Sequence, residues 1–315
     1  MIVLANDGIS DAGKVLLEDN GFNVVTDKVA QEDLIDYINE NNVTALLVRS
    51  ATKVREDIID NCNSLRLIGR GGVGMDNIDV EYARSKGLHV VNTPASSSQS
   101  VAELVMGHMF AIARFLPDSF KNMEEGDFSV LKKKYAKGIE LRGKTLGIIG
   151  FGRIGQAIAT YALGIGMTVK AFGRKQEKVT LNLNINENVY PVDVNVSNDL
   201  SEVLNQSDFI SLHVPKQENN KSVISKGEFE MMKDGAILIN AARGGVINER
   251  DLLEALSSGK IAYAGLDVFE NEPNPNKLLL QNHKIACTPH IGAATIEAQD
   301  RIGGELASLI IEKLK

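Results

Sequence analysis

Arg243, Glu272 and His290 place a guanidinium, a carboxylate and an imidazole in the last quarter of a 315-residue chain. Each sits in a short motif that closes an apolar run: Asn240-Ala241-Ala242-Arg243-Gly244-Gly245, Leu266-Asp267-Val268-Phe269-Glu270-Asn271-Glu272-Pro273, and Thr288-Pro289-His290-Ile291-Gly292. Loops at the ends of strands are where an open α/β sheet gathers the groups that meet a ligand. The imidazole has the ordinary pKa nearest neutrality and suits the transfer of a hydroxyl proton. A carboxylate bonded to its other nitrogen fixes the tautomer and favours the protonated ring. The arginine clamps a carboxylate and polarises a carbonyl oxygen. Together these are the groups that oxidation of a hydroxy acid requires. Taken singly they have plainer readings: a solvated loop cation, a surface acid before a proline, and a core histidine satisfied by backbone.

The second chemical signal lies upstream. Gly150-Phe151-Gly152-Arg153-Ile154-Gly155 follows the apolar strand Leu146–Ile149 and opens a helix over Gln156–Leu163. In that setting Gly150 permits the tight turn, Gly152 lets backbone amides approach a pyrophosphate, and Gly155 lets helix and strand pack closely. The helix N-terminus adds partial positive charge. A tight structural turn is the alternative, but the strand-loop-helix context points to NAD or NADP. NAD-specific sites carry an acid about 20 residues further on, for the ribose hydroxyls. Here the strand Val169–Phe172 ends in Gly173-Arg174-Lys175. Those cations suit the 2′-phosphate of NADP, or else form a solvated turn.

The elements that must position these groups alternate between short aliphatic runs and amphipathic stretches. Strands are expected at Ile2–Leu4, Asn23–Val25, Ala45–Val48, Leu67–Ile68 and His89–Val91, with helices over Ala12–Asp19 and Glu32–Asn39. After Pro94 and Ser96–Ser98, helical spacing predicts a connecting helix over Val101–Leu116. A second α/β run follows, with strands at Thr145–Ile149, Thr168–Phe172, Asp208–Leu212, Ala236–Ile239, Tyr263–Leu266 and Ile285–Cys287. A final helix covers Thr295–Leu314. The Asn-rich segment 178–198 reads poorly as either helix or strand, and Lys132-Lys133-Lys134 reads as a solvated basic turn. The expected fold class is α/β: a Rossmann-type doubly wound parallel sheet with a second, smaller flavodoxin-like α/β domain.

Composition narrows the ligand classes. A net charge of −7 lacks the basic footprint of a nucleic-acid binder. The two cysteines, Cys62 and Cys287, form no CxxC pair, which argues against a disulfide scaffold or zinc site and fits the cytoplasm. His89, His108, His213, His283 and His290 show no ligand spacing, so no metal is expected. The N-terminal apolar run is too short for a signal peptide, and no apolar stretch approaches the ~20 residues that span a bilayer.

Further motifs share the chain in a telling order: Arg49-Ser50-Ala51-Thr52-Lys53-Val54, Gly69-Arg70-Gly71-Gly72-Val73-Gly74-Met75-Asp76-Asn77-Ile78-Asp79, Asn92-Thr93-Pro94 before Ser100-Val101-Ala102-Glu103, and Ala293-Ala294-Thr295 after Gly292. With the motifs above, this set resembles the D-2-hydroxyacid dehydrogenases over nearly the whole chain, and within them phosphoglycerate dehydrogenases without a C-terminal regulatory domain. The resemblance implies that His290 is the acid/base, Glu272 its partner and Arg243 the substrate-binding arginine. It implies that Asp267 holds the nicotinamide amide, that Arg153 and Ile154 face the pyrophosphate, and that Pro215 and Ala241 line the cofactor cleft. It also implies a split substrate-binding domain, 1–94 with 289–315, around a dinucleotide-binding domain, 95–288, and a homodimer.

For the substrate, the resemblance implies 3-phospho-D-glycerate oxidised to 3-phosphohydroxypyruvate, towards L-serine. Arg49, with Ser50, and Arg70 stand where they could read the phosphate, and the backbone amides of Gly72, Val73 and Gly74 could hold the carboxylate. Lys132–Lys134 could add phosphate contacts across a dimer. The rival within the family is a glyoxylate or hydroxypyruvate reductase, which Gly173-Arg174 favours. A nucleotide-sensing scaffold without catalysis is the alternative from another class, and retention of Arg243, Glu272 and His290 argues against it.

Overall fold

Aliphatic runs that are apolar on both sides form parallel strands covered on both faces, and this chain builds two such sheets. The computed structural model describes residues 1–217 and 221–315. It divides into two units, Met1–Ser98 with Ala293–Lys315, and Gln99–Gly292.

In the first unit, β1 (Ile2–Ala5), β2 (Asn23–Val25), β3 (Val43–Val48), β4 (Leu67–Arg70) and β5 (His89–Asn92) lie in the order β2-β1-β3-β4-β5. All pairings are parallel, the flavodoxin-like arrangement. Side chains alternate between two buried clusters: Leu4, Leu46 and Ile68 enter one, Val3, Leu47 and Leu67 the other. The second cluster is completed by the C-terminal helix Ile296–Leu314 through Ile302, Leu306 and Ile310. That helix starts at Thr295, whose hydroxyl accepts the Ala298 amide at 3.1 Å, an N-cap. It lies so close to the helix Asp11–Asp19 that a Cβ on Gly13 would sit 2.6 Å from the Gly303 backbone.

Just past β1, the Asp7 carboxylate organises the loop after β3. Oδ2 accepts the amides of Arg49 at 2.6 Å and Thr52 at 3.0 Å, while Oδ1 accepts the Thr52 hydroxyl at 2.7 Å and Lys28 Nζ at 2.5 Å. Burial works to raise the Asp7 pKa, but the bonds from Lys28, Arg49 and Thr52 outweigh it and the net direction is down.

In the second unit, β6 (Thr145–Ile149), β7 (Thr168–Phe172), β8 (Glu177–Ile185), β9 (Asn188–Ser197), β10 (Phe209–Leu212), β11 (Ala236–Asn240), β12 (Ile261–Leu266) and β13 (Ile285–Cys287) form one sheet. Its order is β13-β12-β11-β10-β6-β7-β9-β8. Without β8 it is entirely parallel, and it reproduces the doubly wound dinucleotide topology, with the order reversing between β6 and β10. No helix of the described residues is long and apolar enough to cross a membrane.

One segment left open by the sequence gains a structure, and two local expectations need correction. The Asn-rich segment is a β-hairpin: β8 pairs antiparallel with β9 around a two-residue loop, Asn186-Glu187, with Asn186 at φ 55°. Leu181, Leu183, Val194 and Val196 are buried while Asn182, Asn184 and Asn195 are exposed. The period of two is present, but asparagine's poor strand propensity obscures it. The connecting helix runs Ser98–Ala113 and stops before Phe115, which takes φ 56° ahead of a second helix, Leu116–Asn122, with Pro117 in its first turn. Lys132–Lys134 end a helix, Phe128–Lys134, rather than forming a turn. Cations suit that helix terminus, and Lys134 bonds Asp118 at 2.6 Å.

Asp7→Asn should destabilise the chain by about 2–3 kcal/mol at pH 7, because one buried acceptor is replaced by a donor facing donors. The folded-state pKa of Asp7 lies below its ordinary 3.8, so its contribution is present above that value and fades as pH falls through the folded pKa. Chemical unfolding of both proteins at pH 7 and pH 3 should show the difference shrinking in acid; an equal loss at both would contradict the assignment.

Candidate active site

The three sequence motifs leave the carboxyl ends of β11, β12 and β13, and in the second unit the structure joins two of their reactive side chains directly. His290 Nδ1 lies 2.7 Å from Glu272 Oε2. The other Glu272 oxygen accepts the Phe269 amide at 2.9 Å, so the carboxylate is fixed at both ends. A carboxylate only accepts, so Nδ1 carries the proton and Nε2 is the ring's available nitrogen. Nε2 makes no hydrogen bond among the described residues. Burial works to raise the Glu272 pKa, but the hydrogen bonds from His290 and Phe269 and the charges of His290 and Arg243 bring it below the ordinary 4.5.

His290 itself has φ 55°, in the left-handed region that non-glycine residues rarely occupy. What holds it there is Asp267, 1% exposed. Oδ1 accepts the Ile291 amide at 2.8 Å and the Thr288 hydroxyl at 2.7 Å, and Oδ2 accepts the Gly292 amide at 2.8 Å. The loop that presents the imidazole is thus laced to the end of β12. Arg243 stands on the loop after β11, which Asn240 pins by accepting the Ala242 amide and donating to the Arg243 carbonyl, each at 3.0 Å. Its guanidinium Nη1 reaches the Ala242 carbonyl at 2.6 Å.

The glycine loop fits a dinucleotide on its own geometry. Gly150 has φ 99°, and a Cβ there would lie 2.4 Å from the His213 carbonyl oxygen. A Cβ on Gly155 would lie 2.3 Å from the Gly150 oxygen, whereas one on Gly152 would meet nothing within 4 Å. Gly152 is the N-cap of the helix Arg153–Gly164 and has no side chain to cap it, so the first-turn amides are left for a ligand. They adjoin a cleft of about 960 Å³ lined by Gly150, Gly152, Gly173, Arg174, Lys175 and Pro215, among others. Arg174 and Lys175 are exposed and make no side-chain bond or ion pair among the described residues.

Other expected cofactor residues do not line that cleft. Arg153 is exposed on the first helical turn, Ile154 and Ala241 pack against the core, and Gly155 is buried. Asp267 is committed to the His290 loop.

The expected substrate residues belong to the first unit. Arg49 lines a cavity of about 220 Å³ with Asp7, Gly8, Ser10, Gly71 and Gln299. Its guanidinium has no partner among the described residues. Ser50 is exposed, and Arg70 Nη1 reaches the Gly71 carbonyl at 3.2 Å. The Gly72 amide is committed to the Thr93 hydroxyl at 2.8 Å and the Gly71 amide to Val48. The Val73 and Gly74 amides of that loop make no hydrogen bond among the described residues. Sequence reasoning missed Asp7 and Thr288, whose bonds run to partners 42 to 45 and 21 residues away; the only local signal was an acid or hydroxyl at a strand end.

With this geometry, the comparisons with known proteins agree. Residues 106–292 match the model described as D-isomer specific 2-hydroxyacid dehydrogenase, NAD binding domain. The chain is 43% identical to a hydroxypyruvate reductase of Thermotoga maritima, covering 99% of this chain and 98% of the relative. It is 41% identical to a D-3-phosphoglycerate dehydrogenase of Methanocaldococcus jannaschii, covering 99% of this chain but 57% of that protein, so it spans little more than half of that relative. A solved NADPH-dependent glyoxylate/hydroxypyruvate reductase of Sinorhizobium meliloti, in complex with NADP and malonate, superposes with TM-score 0.78 at 25% identity, over 97% of this chain and 91% of that one.

The Glu272 and His290 pair has a direct signature. A carbon-13 titration should place the Glu272 carboxyl below 4.5. In His290→Ala the stabilising bond and charge are gone while burial remains, so the midpoint should rise. An unmoved midpoint would show that the pair is not formed in solution.

Proposed function

Because the chain belongs to the D-isomer-specific 2-hydroxyacid dehydrogenases, NAD(P)-dependent oxidoreductases, we propose that it interconverts 3-phospho-D-glycerate and 3-phosphohydroxypyruvate, with Arg243, Glu272 and His290 as its catalytic residues. The bound nicotinamide supplies or accepts the hydride. In oxidation His290 Nε2 takes the hydroxyl proton, and in reduction it returns it. Glu272 keeps Nδ1–H oriented and offsets the charge of the imidazolium. Arg243 engages the substrate carboxylate.

The observation that supports a phosphorylated substrate is Arg49, a half-buried guanidinium without a partner among the described residues, beside a cavity at the ends of β1 and β3. A cation so placed gains most from an anionic ligand. A second reading, reduction of hydroxypyruvate or glyoxylate with NADPH, is favoured by Arg174 and Lys175, exposed and without a side-chain partner among the described residues, and by the 43% identity to a hydroxypyruvate reductase.

One substrate panel, run with NAD and NADP in both directions, separates these readings. Phosphoglycerate should be preferred over glycerate, and Arg49→Ala should raise the KM for the phosphorylated substrate by about 10- to 100-fold with kcat little changed, the loss of a charge-assisted phosphate contact. An unchanged KM removes the phosphate role, and faster turnover of hydroxypyruvate supports the second reading. A strong NAD preference would remove Arg174 as a 2′-phosphate partner.

A homodimer belongs to the same proposal. Phe110, Phe120, Met123, Phe128, Val130 and Ile139 are all exposed on the helices Ser98–Ala113, Leu116–Asn122 and Phe128–Lys134 or in the segments beside them, Phe120 at 72% and Phe128 at 67%. Apolar surface concentrated in this way favours a subunit contact. Sedimentation should find a dimer that Phe128→Glu with Phe120→Glu converts to monomer; a monomeric wild type would exclude it.

A further inference from the structure

Beneath the His290 loop lies a buried imidazole that neither the proton transfer nor the dinucleotide loop uses. His108, on the helix Ser98–Ala113, is 5% exposed. Its Nε2 lies 3.0 Å from Thr288 Oγ1, and that hydroxyl lies 2.7 Å from Asp267 Oδ1. The directions follow from the acceptor at the end of the chain. An ionised Asp267 accepts only, so Thr288 donates its proton to it and its oxygen must receive Nε2–H from His108. The structure makes room for this ring: a Cβ on Gly265, two residues before Asp267 on β12, would lie 3.1 Å from His108 Cβ and Cγ.

We propose that His108 is a positioning residue for His290, acting through Thr288 and Asp267. With Nε2–H directed at Oγ1, the Thr288 hydroxyl has one orientation and its proton is committed to Asp267. Successive donors polarise one another and stiffen such a chain. Asp267, so oriented, holds the two amides that follow His290, Ile291 at 2.8 Å and Gly292 at 2.8 Å. Those bonds keep His290 in its left-handed conformation, which is costly unless its surroundings enforce it, and in that conformation Nδ1 meets Glu272. Burial lowers the His108 pKa against the opposing pull of Asp267, which keeps the ring neutral with a single N–H to give.

The simpler account makes His108 a core side chain whose bond is incidental, and two substitutions separate them. Methionine fills the volume without a donor, whereas glutamine can return an N–H near the position of Nε2. Hydrogen exchange of peptides spanning 288–293, in ligand-free protein, should be about tenfold faster in His108→Met, the consequence of losing one hydrogen bond, and within about threefold of wild type in His108→Gln. Peptides from β6 and β11 should be unchanged. If His108→Met does not fold, Thr288→Val cuts the same chain from its other member and should show the same local change. Equal exchange in wild type and the donorless variant, or no rescue by glutamine, overturns the proposal.

The kinetic arm rests on the proposed reaction: kcat should fall about tenfold in His108→Met with the substrate KM within about twofold. A wild type inactive on every hydroxy and keto acid would refute that reaction while leaving the exchange result to decide the role of His108.

Discussion

A carboxylate sealed from solvent is costly unless donors surround it, and Asp267 turns that requirement into architecture. Its two oxygens draw in one hydroxyl and two consecutive amides, so the end of β12 and the loop after β13 become one piece. His290 rides on that loop in a conformation it would not choose alone. Glu272, on the segment that leaves β12, has one oxygen fixed by the Phe269 amide and offers the other to the ring. The Glu272–His290 pair therefore inherits its position from backbone bonds to buried or half-buried acids.

The first unit uses the same device. Asp7 follows β1 as Asp267 follows β12, and its carboxylate gathers the amides of Arg49 and Thr52 after β3. In both units the parallel sheet supplies a rigid edge of strand ends, and a buried acid converts a neighbouring loop from a flexible connection into a fixed one. At the glycine loop the backbone alone suffices: the turn at Gly150 and the uncapped start of the following helix create donors without any side chain.

One stretch departs from the regular alternation of strand and helix. Between β7 and β9 the chain forms an antiparallel strand, β8, and widens the sheet. The hairpin begins just beyond Gly173-Arg174-Lys175, and Glu177, its first residue, lines the dinucleotide cleft beside those two cations. Charges of both signs therefore line one end of that cleft.

Most of the strands, the doubly wound class, the glycine turn and the strand-end loops that carry Arg243, Glu272 and His290 were legible in the sequence, because each rests on local spacing: apolar runs, turn residues, and a motif closing a strand. The hairpin was hidden because asparagines occupy its exposed face, and the stop at Phe115 because a left-handed backbone there leaves no mark in residue type. Tertiary structure alone decided that Asp267 serves the His290 loop, that the Gly72 amide is spent on Thr93, and that His108, Thr288 and Asp267 form one chain of bonds. Those partners lie 21 to 180 residues apart, and hydrogen bonds between strand ends depend on which strands become neighbours, a property of the folded sheet that no local pattern encodes.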